Sequence, residues 1–196
     1  AVGAIPLVTF LQWRGLKTGD QRWDDLAYRL LFFCFIITTT LGALTGVGIW
    51  FSTSLVNPGA IGSLIRVFFW AWFFEWAVFV TEVVLIMAYF LSWKTRWARQ
   101  NKGKHVGLGV VLSIASWLTM AVIVAILGFQ MDTGVWTVQP GFWTAVLNPI
   151  YLPQLAFRTP FALATAALVG LMLAGFFLRH DPEMALRGVP VSVEVG

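Results

Sequence analysis

The sequence predicts an all-α membrane protein, a transmembrane helical bundle with four full spans plus a partial N-terminal span. Three observations carry that prediction. Hydrophobic residues make up 59% of the 196-residue chain and charged residues 11%, with a mean hydropathy of +0.80, a balance that excludes an ordinary water-soluble globule. Four apolar stretches have the length of roughly 20 residues that a bilayer-spanning helix requires. All Lys and Arg residues except Arg66 and Arg158 fall in the connections 14–29 and 94–105 or in the segment 179–196, so basic and non-basic connections alternate. The apolar stretches lack the alternating pattern of barrel strands, and no repeat with a period of about 20 to 50 residues stands out.

Residues 1–13 are apolar but too short to cross a bilayer, and read as the outer part or an incomplete end of a first span. They carry no initiator Met, basic n-region or cleavage signal, and so do not read as a signal peptide. The connection 14–29 sets Arg14, Lys17, Arg22 and Arg29 against Asp20, Asp24 and Asp25, acids placed where a helix N-terminus favours negative charge. A span at about 26–52 follows, and the spacing of its Gly42 and Gly46 permits close helix approach. Asn57, Pro58 and Gly59 then break the chain, and Ser63 is placed to cap a span at about 66–93.

The next connection holds Lys94, Arg96, Arg99, Lys102 and Lys104 with no acid to offset them, which makes it cytoplasmic by the positive-inside rule. A span at about 106–129 leads into a long connection without Lys or Arg, whose Trp136, Trp143 and Tyr151 suit an outer membrane interface. Thr159 and Pro160 read as a cap and a first-turn proline that open the last span, at about 160–178. Arg179, Arg187 and a polar tail return to the cytoplasmic side, and the whole of 1–196 forms one bundle in the lipid bilayer.

The formal charge of +4 is thus a matter of membrane orientation, and nucleic-acid binding is excluded. One cysteine, Cys34, leaves no disulfide framework, no CxxCH haem attachment and no cysteine metal site. Walker, GxSxG, HExxH and glycine-rich nucleotide motifs are absent, so no metal site and no soluble active site is expected.

The candidate chemistry lies in FFWAWFFEWAVFVTEVVLIMAYFLSW, residues 68–93, which carries Glu75 and Glu82. A carboxylate at membrane depth costs on the order of 3 kcal/mol or more, so such residues have a partner or a task. On a helix, Phe68, Trp72, Glu75, Phe79, Glu82, Ile86, Tyr89 and Trp93 share one stripe, with the acids about 10 Å apart along the axis. Two readings stay open. In one, Glu82 and Glu75 handle protons or sit beside a redox cofactor. In the other they are structural, either protonated or paired with Arg66, Arg158 or a helix of another subunit. Haem ligation needs an imidazole or thioether facing the bundle interior. His105 and His180 both lie at basic helix ends, where they read as interfacial, and His105 is the weak cofactor-binding candidate. The methionines read as packing residues.

Three blocks resemble subunit I of the cytochrome bd quinol oxidases. They are GALTGVGIWF at 42–51, EVVLIMAYFLSW at 82–93 ahead of a basic loop with His105, and VLNP at 146–149 followed by another span. The resemblance implies that Glu82 matches an acid near that family's haem pair and proton route. Glu75 stands seven residues before Glu82, one residue closer than the family's second acid. The family's low-spin haem histidine falls here near Phe157 and Arg158, its first-helix histidine falls before Ala1, and its long quinol-binding loop has no counterpart.

The expectation is therefore a membrane subunit of a respiratory electron-transfer complex in a bacterial inner membrane, contributing to quinol-linked electron or proton transfer beside other membrane and redox subunits. It is not by itself a complete oxygen reductase. Haem b is expected only where residues or subunits outside this chain complete its site, and quinol is the other cofactor candidate. The alternative is a non-redox structural anchor that has lost its haem sites.

Overall fold

The structure, a computed structural model, describes residues 1–180. The expected polar tail with Arg187 lies outside the described residues. Among those described there is no strand, and the helices are α1 (Ala4–Thr18), α2 (Gln21–Ile37), α3 (Ala43–Val56), α4 (Pro58–Val67), α5 (Phe69–Ser92), α6 (Arg96–Gln100), α7 (Lys102–Met131), α8 (Phe142–Val146) and α9 (Tyr151–His180). Four segments are long and apolar enough to cross a membrane: Gln21–Gly48, Phe69–Ser92, Lys102–Met131 and Tyr151–Phe177. The protein is a membrane-embedded helical bundle of four full spans and one short one.

Local chemistry sets the element boundaries, and several differ from the sequence reading. Asp20 caps α2 by accepting the Arg22 N–H at 3.0 Å, so this helix starts earlier than 26. It is then interrupted by a π-helical turn at Thr38–Gly42. There the hydroxyls of Thr38, Thr39 and Thr40 donate back to the carbonyls of Cys34, Phe35 and Ile36. Hydroxyls that bond to backbone carbonyls in this way compete with the helical ladder and widen it.

Ser63 is not the cap of the glutamate helix. It lies inside α4 and donates to Gly59 O, while Asn57 caps α4 through the Ala60 N–H with Pro58 in the first turn. The glutamate helix begins instead at the non-helical Phe68, whose side chain is fully buried edge-on against Phe129 at 4.7 Å.

The last span is longer than the sequence reading placed it. It starts at Tyr151, just after Asn148 and Pro149, and Pro160 sits within it. Pro160 has no N–H to give, and Thr159 turns its hydroxyl back to Leu155 O. Membrane helices tolerate an interior proline because neighbouring groups can take up the freed backbone bond. The Asn148 amide donates to Ala125 O and Ala145 O and so ties the preceding turn to α7. A side chain at Gly128 would come within 2.5 Å of Asn148 Oδ1, which explains a glycine in the last turn of an apolar helix.

Helix α1 belongs to the basic end of the bundle, the end at which the connection 94–105 lies. It packs on α2, α7 and α9, with Ile5 and Val8 buried against Leu31, Ile86, Tyr89 and Leu112. Gly3 lets its backbone meet α9, since a Cβ there would overlap Ala162 O. A second apolar cluster, Phe68, Ala71, Ile126, Phe129 and Ala145, closes the opposite end of α5 and α7. The stretch between these two clusters carries the candidate acids.

Candidate functional site

Glu82 and Glu75 sit on α5 in that gap. The predicted stripe is largely the inward face. Phe68, Ile86 and Tyr89 are buried, and Trp72, Glu75, Glu82 and Trp93 are half-buried, but Phe79 turns outward at 49% exposure. The acids therefore lie at the margin of the α5–α7 contact, bordered by exposed Phe74, Trp76 and Val84.

The two acids have different surroundings. Ser116, fully buried on α7, donates its hydroxyl to Glu82 Oε1 at 2.7 Å. This bond departs from the habit of the helix. Ser113 and Thr119 donate to the carbonyls four residues back, at Gly109 and Ala115, as hydroxyls in apolar helices ordinarily do. Ser116 reaches across to α5 instead. A hydrogen bond to an ionised group is worth about 1.5–3 kcal/mol, comparable to the cost of placing a carboxylate at membrane depth. Glu75 makes no hydrogen bond or ion pair among the described residues, and neither Arg66 nor Arg158 pairs with either acid.

Two turns from Glu82 toward the basic end lies a second polar group. His105, expected at the interface, is fully buried. The Tyr89 hydroxyl donates to Gln12 Oε1 at 2.9 Å, and Gln12 Nε2 lies 2.7 Å from His105 Nδ1. His105 Nε2 faces Tyr89 O at 3.2 Å and Ser92 Oγ at 3.1 Å. Because the Tyr89 carbonyl only accepts, Nε2 carries the proton, and Nδ1 accepts from the Gln12 amide. The ring also stacks on Tyr89 at 4.7 Å and meets Trp93 edge-on at 5.0 Å. Gln12, 5% exposed, joins α1 to α5 and α7 through these bonds. Sequence reasoning missed it, although a glutamine facing inward in an apolar thirteen-residue stretch was a usable signal.

Haem b needs an imidazole nitrogen or thioether that is free to face the bundle interior. Both nitrogens of His105 are engaged. Met87, Met131 and Met172 are exposed, and Met131 Sδ takes a bond from Gln154. Met120 lies about 22 Å along α7 from His105 at 1.5 Å per residue, too far for the two to bracket one iron. Phe157 and Arg158 offer no ligand where the resemblance places a histidine. The described residues do not fit haem b, and no group of three or more His, Cys, Asp and Glu side chains among them could hold a metal ion.

No family model, no curated protein and no solved structure matches the chain. The chemistry of the site rests on its geometry.

Proposed function

We propose that the chain is the proton-handling membrane subunit of a quinol-linked respiratory electron-transfer complex of the cytochrome bd subunit I type, acting with partner subunits that hold the redox centres. The observation that supports this most is the Glu82–Ser116 bond, a carboxyl at mid-span held by a hydroxyl that abandons its own helix. Such a pair serves both protonation states. The hydroxyl donates to the carboxylate, and equally to the carbonyl oxygen of the protonated acid, so Glu82 keeps its place while it gains or loses a proton. Glu75, about 10 Å along the same helix and without a partner among the described residues, is the second proton-handling group. Its carboxyl meets water or a neighbouring subunit at the margin of the bundle. By the alternation of basic connections, the 14–29 and 94–105 end faces the cytoplasm of a bacterial inner membrane.

The test is quinol turnover of the assembled complex. Glu82→Gln is expected to lower proton-coupled turnover by about a hundredfold or more, the lower end of what a positioned acid–base group contributes. Unchanged turnover contradicts the proposal.

A second reading, a non-redox structural anchor, is favoured by one specific observation, the full engagement of both His105 nitrogens by Gln12, Tyr89 and Ser92. Reduced-minus-oxidised optical spectra separate the two. A haem b signal assigned to this chain is incompatible with a purely structural role.

A further inference from the structure

At the basic end, a polar recess of about 460 Å³ opens between the start of α2 and the α5–α7 connection. That volume lies within the range of roughly 300–1,000 Å³ typical of small-molecule sites. Its two walls carry opposite charge: Asp24 and Asp25 on α2, and Lys94 and Arg99 on the connection with Lys102 at the start of α7. The Asp24–Lys102 ion pair, at 2.5 Å, neutralises one charge from each wall. Gln12 forms part of the lining, its amide committed to Tyr89 and His105. What remains for a ligand is Lys94 and Arg99 on one side and Asp25 on the other. Neither Arg99 nor Asp25 makes an ion pair among the described residues.

We propose that this recess binds a phospholipid headgroup bearing both a phosphate and a primary ammonium, the phosphate against Lys94 and Arg99 and the ammonium against Asp25. A lone phosphate would suit a wall of cations but not the facing acid. A quaternary ammonium would bring charge without N–H donors for the Asp25 carboxylate. Membrane chemistry rather than a soluble metabolite follows from the setting. Tyr28 and Trp93 line the recess, as aromatic residues do at headgroup level, and the Lys94 ammonium lies 4.4 Å over the Tyr28 ring. Exposed Leu91, in the last turn of α5, and Trp97, on α6, offer apolar surface on which acyl chains can lie.

The test is native mass spectrometry of the delipidated full chain, titrated with phosphatidylethanolamine, phosphatidylcholine and phosphatidylglycerol of matched acyl chains, and separately with O-phosphoethanolamine. Phosphatidylethanolamine is expected to be retained several-fold better than either other lipid. The exposed-residue double variant Lys94→Gln/Arg99→Gln should weaken its binding by about tenfold. Asp25→Asn should abolish the preference over phosphatidylcholine without weakening phosphatidylglycerol, and far-UV circular dichroism should show all variants folded. Retention of phosphatidylglycerol above phosphatidylethanolamine, equal retention of all three lipids, or an unaltered preference in Asp25→Asn overturns the proposal. So does binding of O-phosphoethanolamine as tight as that of the lipid, which would mark a soluble-ligand site.

Discussion

At the basic end of α5 and α7, every polar atom of the Gln12, Tyr89 and His105 side chains has a partner inside the chain, whereas at mid-helix, among the described residues, Glu82 has one bond and Glu75 has none. The same pair of helices thus carries two kinds of buried polarity. The first is closed. Three helices contribute, the aromatic rings of Tyr89 and Trp93 cover the imidazole, and both its nitrogens are engaged. The second is open, lying between two apolar clusters at a half-buried margin of the described bundle. A fully satisfied network rigidifies and specifies packing, whereas a partly satisfied one leaves groups for chemistry or for a partner. The contrast sets a closed polar group at the His105 end against an open one at the Glu82 centre.

The largest expected effect comes from breaking the closed end. His105→Ala removes a buried ring and strands the Gln12 amide, which should cost about 3 kcal/mol of stability. Chemical unfolding in detergent checks it, and Glu75→Gln, at the open centre, should cost far less in the same assay. A loss for His105→Ala no larger than for Glu75→Gln would erase the distinction.

A smaller effect, about 1–3 kcal/mol, is expected for Gly109→Ala. Its new Cβ would come within 2.5 Å of Thr9 Oγ1 and 2.9 Å of Tyr89 Oη, prying α1 and α5 from α7 at the level of the network. The Tyr89 hydroxyl should then lose Gln12, and proton exchange at the buried imidazole, followed by nuclear magnetic resonance, should accelerate.

The four long spans were legible because apolar length and the distribution of Lys and Arg are local properties of a chain. So was the inward stripe of α5, which the structure keeps except at Phe79. Other features depended on competition between local signals. Thr159 and Pro160 mimic a helix start, yet the helix already begins at Tyr151, whose N–H donates to Asn148 O. Ser63 has a capping side chain but lies too deep in α4 to use it. Least legible were the contacts between residues far apart in sequence. Gln12 and His105 are 93 positions apart and Ser116 and Glu82 are 34 apart, so neither pair leaves a trace in periodicity or composition. The acids themselves were evident from the sequence. Their inequality was not, because it depends on which hydroxyl of α7 turns across.

The smallest effect lies outside the membrane-spanning segments, at Asp20. Its backbone bond from Arg22, with the nearby guanidinium, holds its carboxyl below the ordinary value of 3.8. A lowered acid contributes stability that is complete above its unfolded value and fades as pH falls through the folded one. The start of α2 should therefore loosen only in strong acid. Asp20→Asn, which keeps the capping acceptor, should remove that acid dependence and change little at neutral pH. Hydrogen exchange at the Arg22 amide reads it.

The central claim is that Glu82, held by Ser116, is a carboxyl that exchanges protons at membrane depth. Difference infrared spectroscopy of the chain in lipid vesicles, recorded across a pH step, tests it most directly. The account predicts a carboxyl C=O band that titrates, vanishes in Glu82→Gln and shifts in Ser116→Ala, where the hydroxyl donor is lost. A difference spectrum identical in the native chain and in Glu82→Gln would contradict it.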